Sequence, residues 1–232
     1  MVVGNGMLAK AFIKYQTMDN IVILASGVSN SRETKQSEFD REELLIKTIA
    51  KKNLDNTIIY FSTCSIEDKT LLDSYYVLHK KRMESIIKKH NKYYIFRLPQ
   101  VVGNTNSPTL INFLFTQISL QARIDVYKNA TRNIISIDDV YFIVNYLVEN
   151  NIYMNEITNI ATPFNSSVID IVSKIEELLN IKADYNEINS GEKQIVNIDK
   201  ILSITKEYNL FNENYIHILL NKYYSNLQLM RN

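Results

Sequence analysis

Short apolar runs alternate with longer stretches of helical period along most of the chain. Met1-Val2-Val3 ends at Gly4-Asn5-Gly6, and apolar residues then recur at the helical positions Ala9, Phe12 and Tyr15. That pattern predicts a strand, a tight turn and a helix. A second run, Ile21 to Leu24, stops at Ala25-Ser26-Gly27, and a charged helix with apolar positions Leu44, Leu45 and Ile49 is expected over roughly 38 to 52. Ile58 to Phe61 reads as a strand ending at Ser62-Thr63. A long amphipathic helix follows over about 73 to 90, then a strand from Tyr93 to Leu98 closed by Pro99. Short β segments separated by helices of this length predict a parallel sheet covered by helices on both faces.

Beyond Pro99 the pattern changes. Asn104 to Pro108 predicts a polar turn, Leu110 to Ser119 a helix, and Ile124 to Ile137 paired strand and loop before a helix that opens at Asp138-Asp139. Acidic side chains suit a helix N-terminus, where they meet free backbone donors and the positive end of the dipole. A last strand, Ile157 to Ala161, is followed by helices near 166 to 179, 199 to 208 and 213 to 229. The expected division is a core over 1–160 and a small lobe over 161–232, with a contribution from 100–130.

Composition narrows the partners. The chain has 232 residues, 46% hydrophobic and 22% charged, enough to bury a core, and its net charge of +1 gives no basic field for a nucleic-acid backbone. A small-molecule partner is expected. The single cysteine, Cys64, has no disulfide partner, and the sequence shows neither a secretory leader nor an apolar run of membrane-spanning length. These features predict a cytoplasmic protein with no membrane partner; the sequence also offers no metal-ligand spacing.

Two motifs carry candidate chemistry. Gly4-Asn5-Gly6-Met7-Leu8-Ala9 joins a strand to a helix, where glycines let the backbone turn tightly and approach a pyrophosphate; an ordinary βα turn is the plain alternative. Of only five glycines, Gly4, Gly6 and Gly27 fall at predicted carboxyl ends of strands, where ligands of open α/β sheets bind. Tyr76 and Lys80 lie one helical turn apart on one face. With fifteen tyrosines this spacing arises about once by chance, so position has to supply the warrant. Tyr76 is the only tyrosine followed by lysine at that offset, and it comes soon after the strand that ends at Ser62-Thr63. A phenol is a weak acid-base group at neutral pH unless a neighbouring ammonium favours its ionised form, and a threonine hydroxyl can hold the oxygen that exchanges the proton.

The ordered set Gly4-x-Gly6, Ala25-Ser26-Gly27, Ser62-Thr63, Tyr76-x-x-x-Lys80, Arg97-Leu98-Pro99-Gln100-Val101-Val102-Gly103 and Arg132-x-x-x-x-x-Asp138-Asp139-Val140 resembles extended short-chain dehydrogenases, in the group of nucleotide-sugar epimerases and ketoreductases. The resemblance implies a Rossmann-like parallel sheet with a small C-terminal substrate lobe, NAD or NADP as cofactor, a nucleotide-sugar substrate in surface-polysaccharide precursor synthesis, and a homodimer. It implies catalytic roles for Thr63, Tyr76 and Lys80, with Ser62 and Ser65 as competitors for the hydroxyl. Cofactor contacts would come from Gly4, Asn5, Gly6, Met7, Leu8, Ala25, Ser26, Gly27, Lys80, Pro99 and Val101. Substrate contacts would come from Ser65, Gln100, Asn112 and Arg132. Thr63 is followed by Cys64-Ser65 rather than the acidic pair of the family's 4,6-dehydratases, which argues against dehydration. Only about fifteen residues separate Gly6 from Ile21, where the family runs two further strand-helix units. A reduced strand number is therefore expected. A relative that binds nucleotide-sugar, dinucleotide or a partner without turnover is the alternative function.

Overall fold

The computed structural model describes residues 1–105 and 107–229; Asn106, within the predicted turn Asn104 to Pro108, and residues 230–232, at the end of the expected lobe, lie outside the described residues. The first half runs β1 (Val2–Val3), α1 (Met7–Ala11), a 3-10 turn (Ile13–Thr17), β2 (Ile21–Leu24), α2 (Gln36–Lys52), β3 (Thr57–Thr63), a 3-10 turn (Cys64–Glu67), α3 (Tyr75–Ile87) and β4 (Tyr93–Leu98). The second half adds β5 (Gln100–Val102), α4 (Leu110–Ser119), β6 (Ile124–Tyr127), β7 (Thr131–Arg132), β8 (Ile134–Ser136), α5 (Ile137–Glu149), β9 (Ile157–Asn159), β10 (Ser166–Ser167), α6 (Val168–Leu179), β11 (Tyr185–Ile188), α7 (Leu202–Glu207) and α8 (Tyr215–Leu229).

Five strands form one parallel sheet in the order β1-β2-β3-β4-β9. β3 explains how both faces are covered, because alternate side chains leave a strand on opposite sides. Ile59 and Phe61 point to one face and pack with Phe12, Phe96 and, from α5, Val140, Ile143 and Leu147. Ile58 and Tyr60 point to the other and pack with Ile46 and Ile49 of α2 and Met83 and Ile87 of α3. A strand buried on both sides reads as a continuous apolar run, as Ile58 to Phe61 does. The architecture is thus the expected Rossmann-like sheet with helices on both faces and few strands.

A second apolar core joins Ile111, Leu114 and Phe115 of α4, Val126 of β6, Ile171 and Ile175 of α6, and Leu219 and Leu220 of α8. Its small sheets pair β6 with β11 and β7 with β10, while β5 pairs with β8 between the two cores. Ile201 and Ile204 return to the first core.

One local expectation needs correction. Leu44 is 69% exposed, and the inward face of α2 instead carries Phe39, Glu42, Ile46 and Ile49. Asp138 and Asp139 lie in the first turn of α5 as expected, and Ser136 caps it: its hydroxyl accepts from the Asp139 N–H at 3.0 Å and donates to Asp139 Oδ2 at 2.6 Å. The paired aspartates hold down the last helix. Asp138 accepts from Lys222 and Tyr223 at 2.6 Å each, and Asp139 accepts from Tyr215.

Candidate functional site

Parallel strands bring their carboxyl ends to one edge, and β1 to β4 end there in Gly4, Ala25, Thr63 and Leu98 respectively. Gly4 has φ +129°, and a Cβ there would stand 2.5 Å from the Ala25 carbonyl oxygen. Only glycine lets the first turn lie this close to the end of β2. Gly6 faces open space, with nothing within 4 Å of a Cβ. It lines a cavity of about 400 Å³ together with Met7, Lys10, Gly103, Asn104, Asn112 and Tyr224. Leu8, Ala25 and Val101 pack partly against the first core, and Asn5 is exposed.

α3 starts just beyond the 3-10 turn that follows Thr63, capped by the Ser74 hydroxyl, which accepts from the Val77 N–H. This start turns Tyr76 inward. Tyr76 is 8% exposed and packs with Val28 from the β2 end, Ile66 from the turn after Thr63, and Phe39 of α2. Its hydroxyl makes no hydrogen bond among the described residues and is not among the fully buried orphans, which are Tyr94 and Thr158. Thr63 is buried and its hydroxyl oxygen accepts from the Ser65 N–H at 3.1 Å, so its proton remains available to a ligand. Ser62 is spoken for, donating to Glu84 at 2.7 Å. Tyr75, one residue before Tyr76, is exposed.

Lys80 lies one turn beyond Tyr76, 4% exposed, with Nζ 5.9 Å from the Tyr76 ring centroid. It donates to Glu42 Oε1 at 2.9 Å and to the Tyr60 hydroxyl at 3.1 Å, leaving one of three ammonium protons unassigned among the described residues. Glu42, wholly buried, is the centre of this cluster. It accepts from the Tyr60 hydroxyl at 2.8 Å and the Val28 N–H at 2.7 Å, and meets His79 Nε2 at 3.0 Å. A Cβ on Gly27 would lie 2.5 Å from its Oε1, so the carboxylate is pressed under the β2 turn. Burial by itself raises the Glu42 carboxyl, but the His79 hydrogen bond and the Lys80 charge outweigh it and hold the group at about 2. Burial also raises the Tyr60 phenol well above its ordinary value, with the adjacent Glu42 charge adding to it.

Glu42 was not a candidate from the sequence. The available signal was an acid in register with an apolar stripe, since Phe39, Glu42, Ile46 and Ile49 share one helical face. Its partners Tyr60 and His79 gave no separate sign.

The candidate substrate residues are more scattered. Ser65 is half-buried on the turn after Thr63, and the Gln100 backbone pairs with Asn133. Asn112 donates to the carbonyls of Thr105 and Ser107 and accepts from Tyr224, so its amide already braces the cavity wall. The Arg132 side chain donates to the Thr131 carbonyl at 2.7 Å, its one side-chain hydrogen bond among the described residues, while its backbone pairs with Ser166. Cys64 is buried with its thiol pushed up by that burial, which suits packing rather than nucleophilic attack. No group of metal-ligating side chains and no helix long and apolar enough to cross a membrane occurs among the described residues.

A nicotinamide dinucleotide can be tested against this shape. The open face at Gly6 and the close turns at the ends of β1 and β2 leave exposed backbone at the carboxyl edge that would suit its phosphates. α1 is five residues long and the chain returns directly into β2, so this part of the molecule offers the adenosine end no strand.

No protein-family model and no curated protein matches the chain. Solved structures do. A UDP-N-acetylglucosamine 4-epimerase from Bacillus cereus superimposes with a TM-score of 0.70 at 20% identity, over 98% of this chain and 82% of that one. A UDP-glucuronic acid 4-epimerase from the same organism, in complex with UDP-glucuronic acid and NAD, gives 0.72 at 20% identity, over 97% and 79%. A dTDP-4-dehydrorhamnose reductase from Clostridium acetobutylicum gives 0.67 at 16% identity, over 86% and 79%. The chain therefore carries the fold that these three solved structures share.

Proposed function

We propose that the chain is an NAD(P)-dependent enzyme acting on a nucleotide-linked sugar, as a 4-epimerase or 4-ketoreductase that supplies surface-polysaccharide precursors. One observation supports this reading: the Tyr76 hydroxyl makes no hydrogen bond among the described residues, its ring packs on Val28 at the end of β2, and Lys80 Nζ stands 5.9 Å from that ring. A bound nicotinamide supplies the hydride. Tyr76 exchanges the proton of the sugar hydroxyl, and Thr63 donates to that oxygen and fixes its position. Lys80 holds the ribose hydroxyls with its remaining proton, its other two being committed to Glu42 and Tyr60. Gln100, Arg132, Ser65 and Asn112 form the substrate side, between the core of 1–160 and the lobe of 161–232.

A second copy of the chain is the expected partner. α2 and α3 pack side by side and expose Leu44, Tyr75 and Leu78, apolar groups that a helix-to-helix dimer contact would cover. Light scattering is expected to return twice the chain mass, and a monomer at high concentration would refute the dimer.

A second reading has its own support: Glu42 already neutralises Lys80, which suits a protein that binds nucleotide-sugar or dinucleotide without turning it over. Incubation with each cofactor and a panel of UDP-, dTDP-, GDP- and CDP-sugars, read by mass spectrometry and sugar chromatography, separates the two. Conversion of at least one sugar is the expected result. Binding of a nucleotide-sugar with no conversion under either cofactor would establish the second reading.

A further inference from the structure

We infer that this chain grips nicotinamide dinucleotides by the nicotinamide mononucleotide half alone, and so takes NADH, NADPH and reduced nicotinamide mononucleotide with nearly equal affinity. The inference rests on the proposed function and names the ligand specificity of that site.

In a doubly wound sheet a dinucleotide straddles the first strand. The nicotinamide half lies over the strands on one side, and the adenosine half over those on the other. Here β1 begins the sheet order, and among the described residues its other side pairs with no strand. Val2 and Val3 register only with Ile23 and Leu24 of β2, while the free Val2 N–H is satisfied by the Gln16 side chain at 2.8 Å. The chain reaches this state by an internal shortcut, passing from α1 through the 3-10 turn Ile13–Thr17 straight into β2.

The adenine ribose is ordinarily held by an acid at the carboxyl end of the strand that follows the glycine turn. Asp19 is the acid at a comparable distance in sequence, but it immediately precedes β2. In a parallel sheet that puts it at the amino edge, opposite Gly4 and Gly6. It cannot meet a ribose laid across the glycine turn. The same missing strand removes the place where a cation would meet a 2′-phosphate, so the two dinucleotides differ in a part that this chain leaves in solvent.

The other half of the frame is complete. Gly27 and Val28 close the end of β2, Thr63 that of β3 and Leu98 that of β4, with Tyr76 packed on Val28 and Lys80 one helical turn beyond Tyr76. Gly6 and Lys10 share the adjoining cavity, which provides an open backbone and one cation for the phosphate that mononucleotide carries.

Isothermal titration of the full chain with NADH, NADPH, reduced nicotinamide mononucleotide and AMP decides the matter. Dissociation constants for the first three are expected within about fivefold of one another, with AMP giving no heat and failing to displace NADH. An advantage of NADH over the mononucleotide beyond about thirtyfold, or binding of AMP by itself, overturns the inference while leaving the proposed function intact. Failure of all three nicotinamides to bind at millimolar concentration overturns both.

Discussion

Replacing Glu42 with leucine is expected to lower the unfolding free energy by about 3–5 kcal/mol, the cost of leaving a buried charge without its partner. Four groups turn toward this carboxylate, namely the Lys80 ammonium, the His79 ring, the Tyr60 hydroxyl and the Val28 N–H. None has an equivalent substitute nearby. Denaturant titration checks the magnitude, and the double variant Glu42→Leu/Lys80→Leu is expected to recover part of the loss because it removes the stranded ammonium as well. Tyr60→Phe, which deletes one hydroxyl from the cluster, is expected to cost only about 1 kcal/mol. The same carboxylate sets an acid limit. Its folded value of about 2 lies below its ordinary 4.5, so its contribution is complete above about pH 4.5 and is lost as the pH falls through about 2. Wild-type stability is expected to fall across that window and the Glu42→Gln variant to show a shallower decline there.

Tyr76→Phe is expected to reduce turnover by about 10²–10⁴-fold, the range for loss of a positioned acid-base group. Stability should change by less than about 0.5 kcal/mol, because the hydroxyl makes no hydrogen bond among the described residues while the ring keeps its contacts with Val28, Phe39 and Ile66. The contrast with Glu42 is diagnostic. One substitution removes chemistry and spares the fold; the other damages the fold through a group that touches no reacting atom. Thr63→Val tests the neighbouring hydroxyl in the same assay, and equal turnover by wild type and Tyr76→Phe would remove the phenol from the mechanism.

The sheet was readable because its strands are apolar on both sides and end at punctuation the sequence shows plainly. Tyr93 to Leu98 and Leu110 to Ser119 coincide with β4 and α4. The reduced strand number followed from the short passage between Gly6 and Ile21. Pairings such as β6 with β11 and β5 with β8 were not readable, because each joins segments whose register is fixed only once both cores have formed. α2 shows how periodicity misleads within one element. Leu44 looks like a core residue and Glu42 like a solvated one, yet the helix is rotated to carry the acid inward, where Lys80 and Tyr60 compensate its burial. The Tyr76 and Lys80 pair was legible as a spacing, but the commitment of the ammonium to Glu42 is a contact between helices that no local pattern encodes.

Hydride transfer at the sugar carbon is the claim on which the rest depends. A nucleotide-sugar deuterated at C4, incubated with the wild-type chain and oxidised nicotinamide dinucleotide, follows that hydrogen directly. The account predicts deuterium in the reduced nicotinamide or returned to C4 of a sugar with changed configuration, at a rate about 10²–10⁴-fold lower in the Tyr76→Phe protein. A bound sugar that retains all of its label and its configuration in the wild-type protein, whichever nucleotide carries it, would contradict the account.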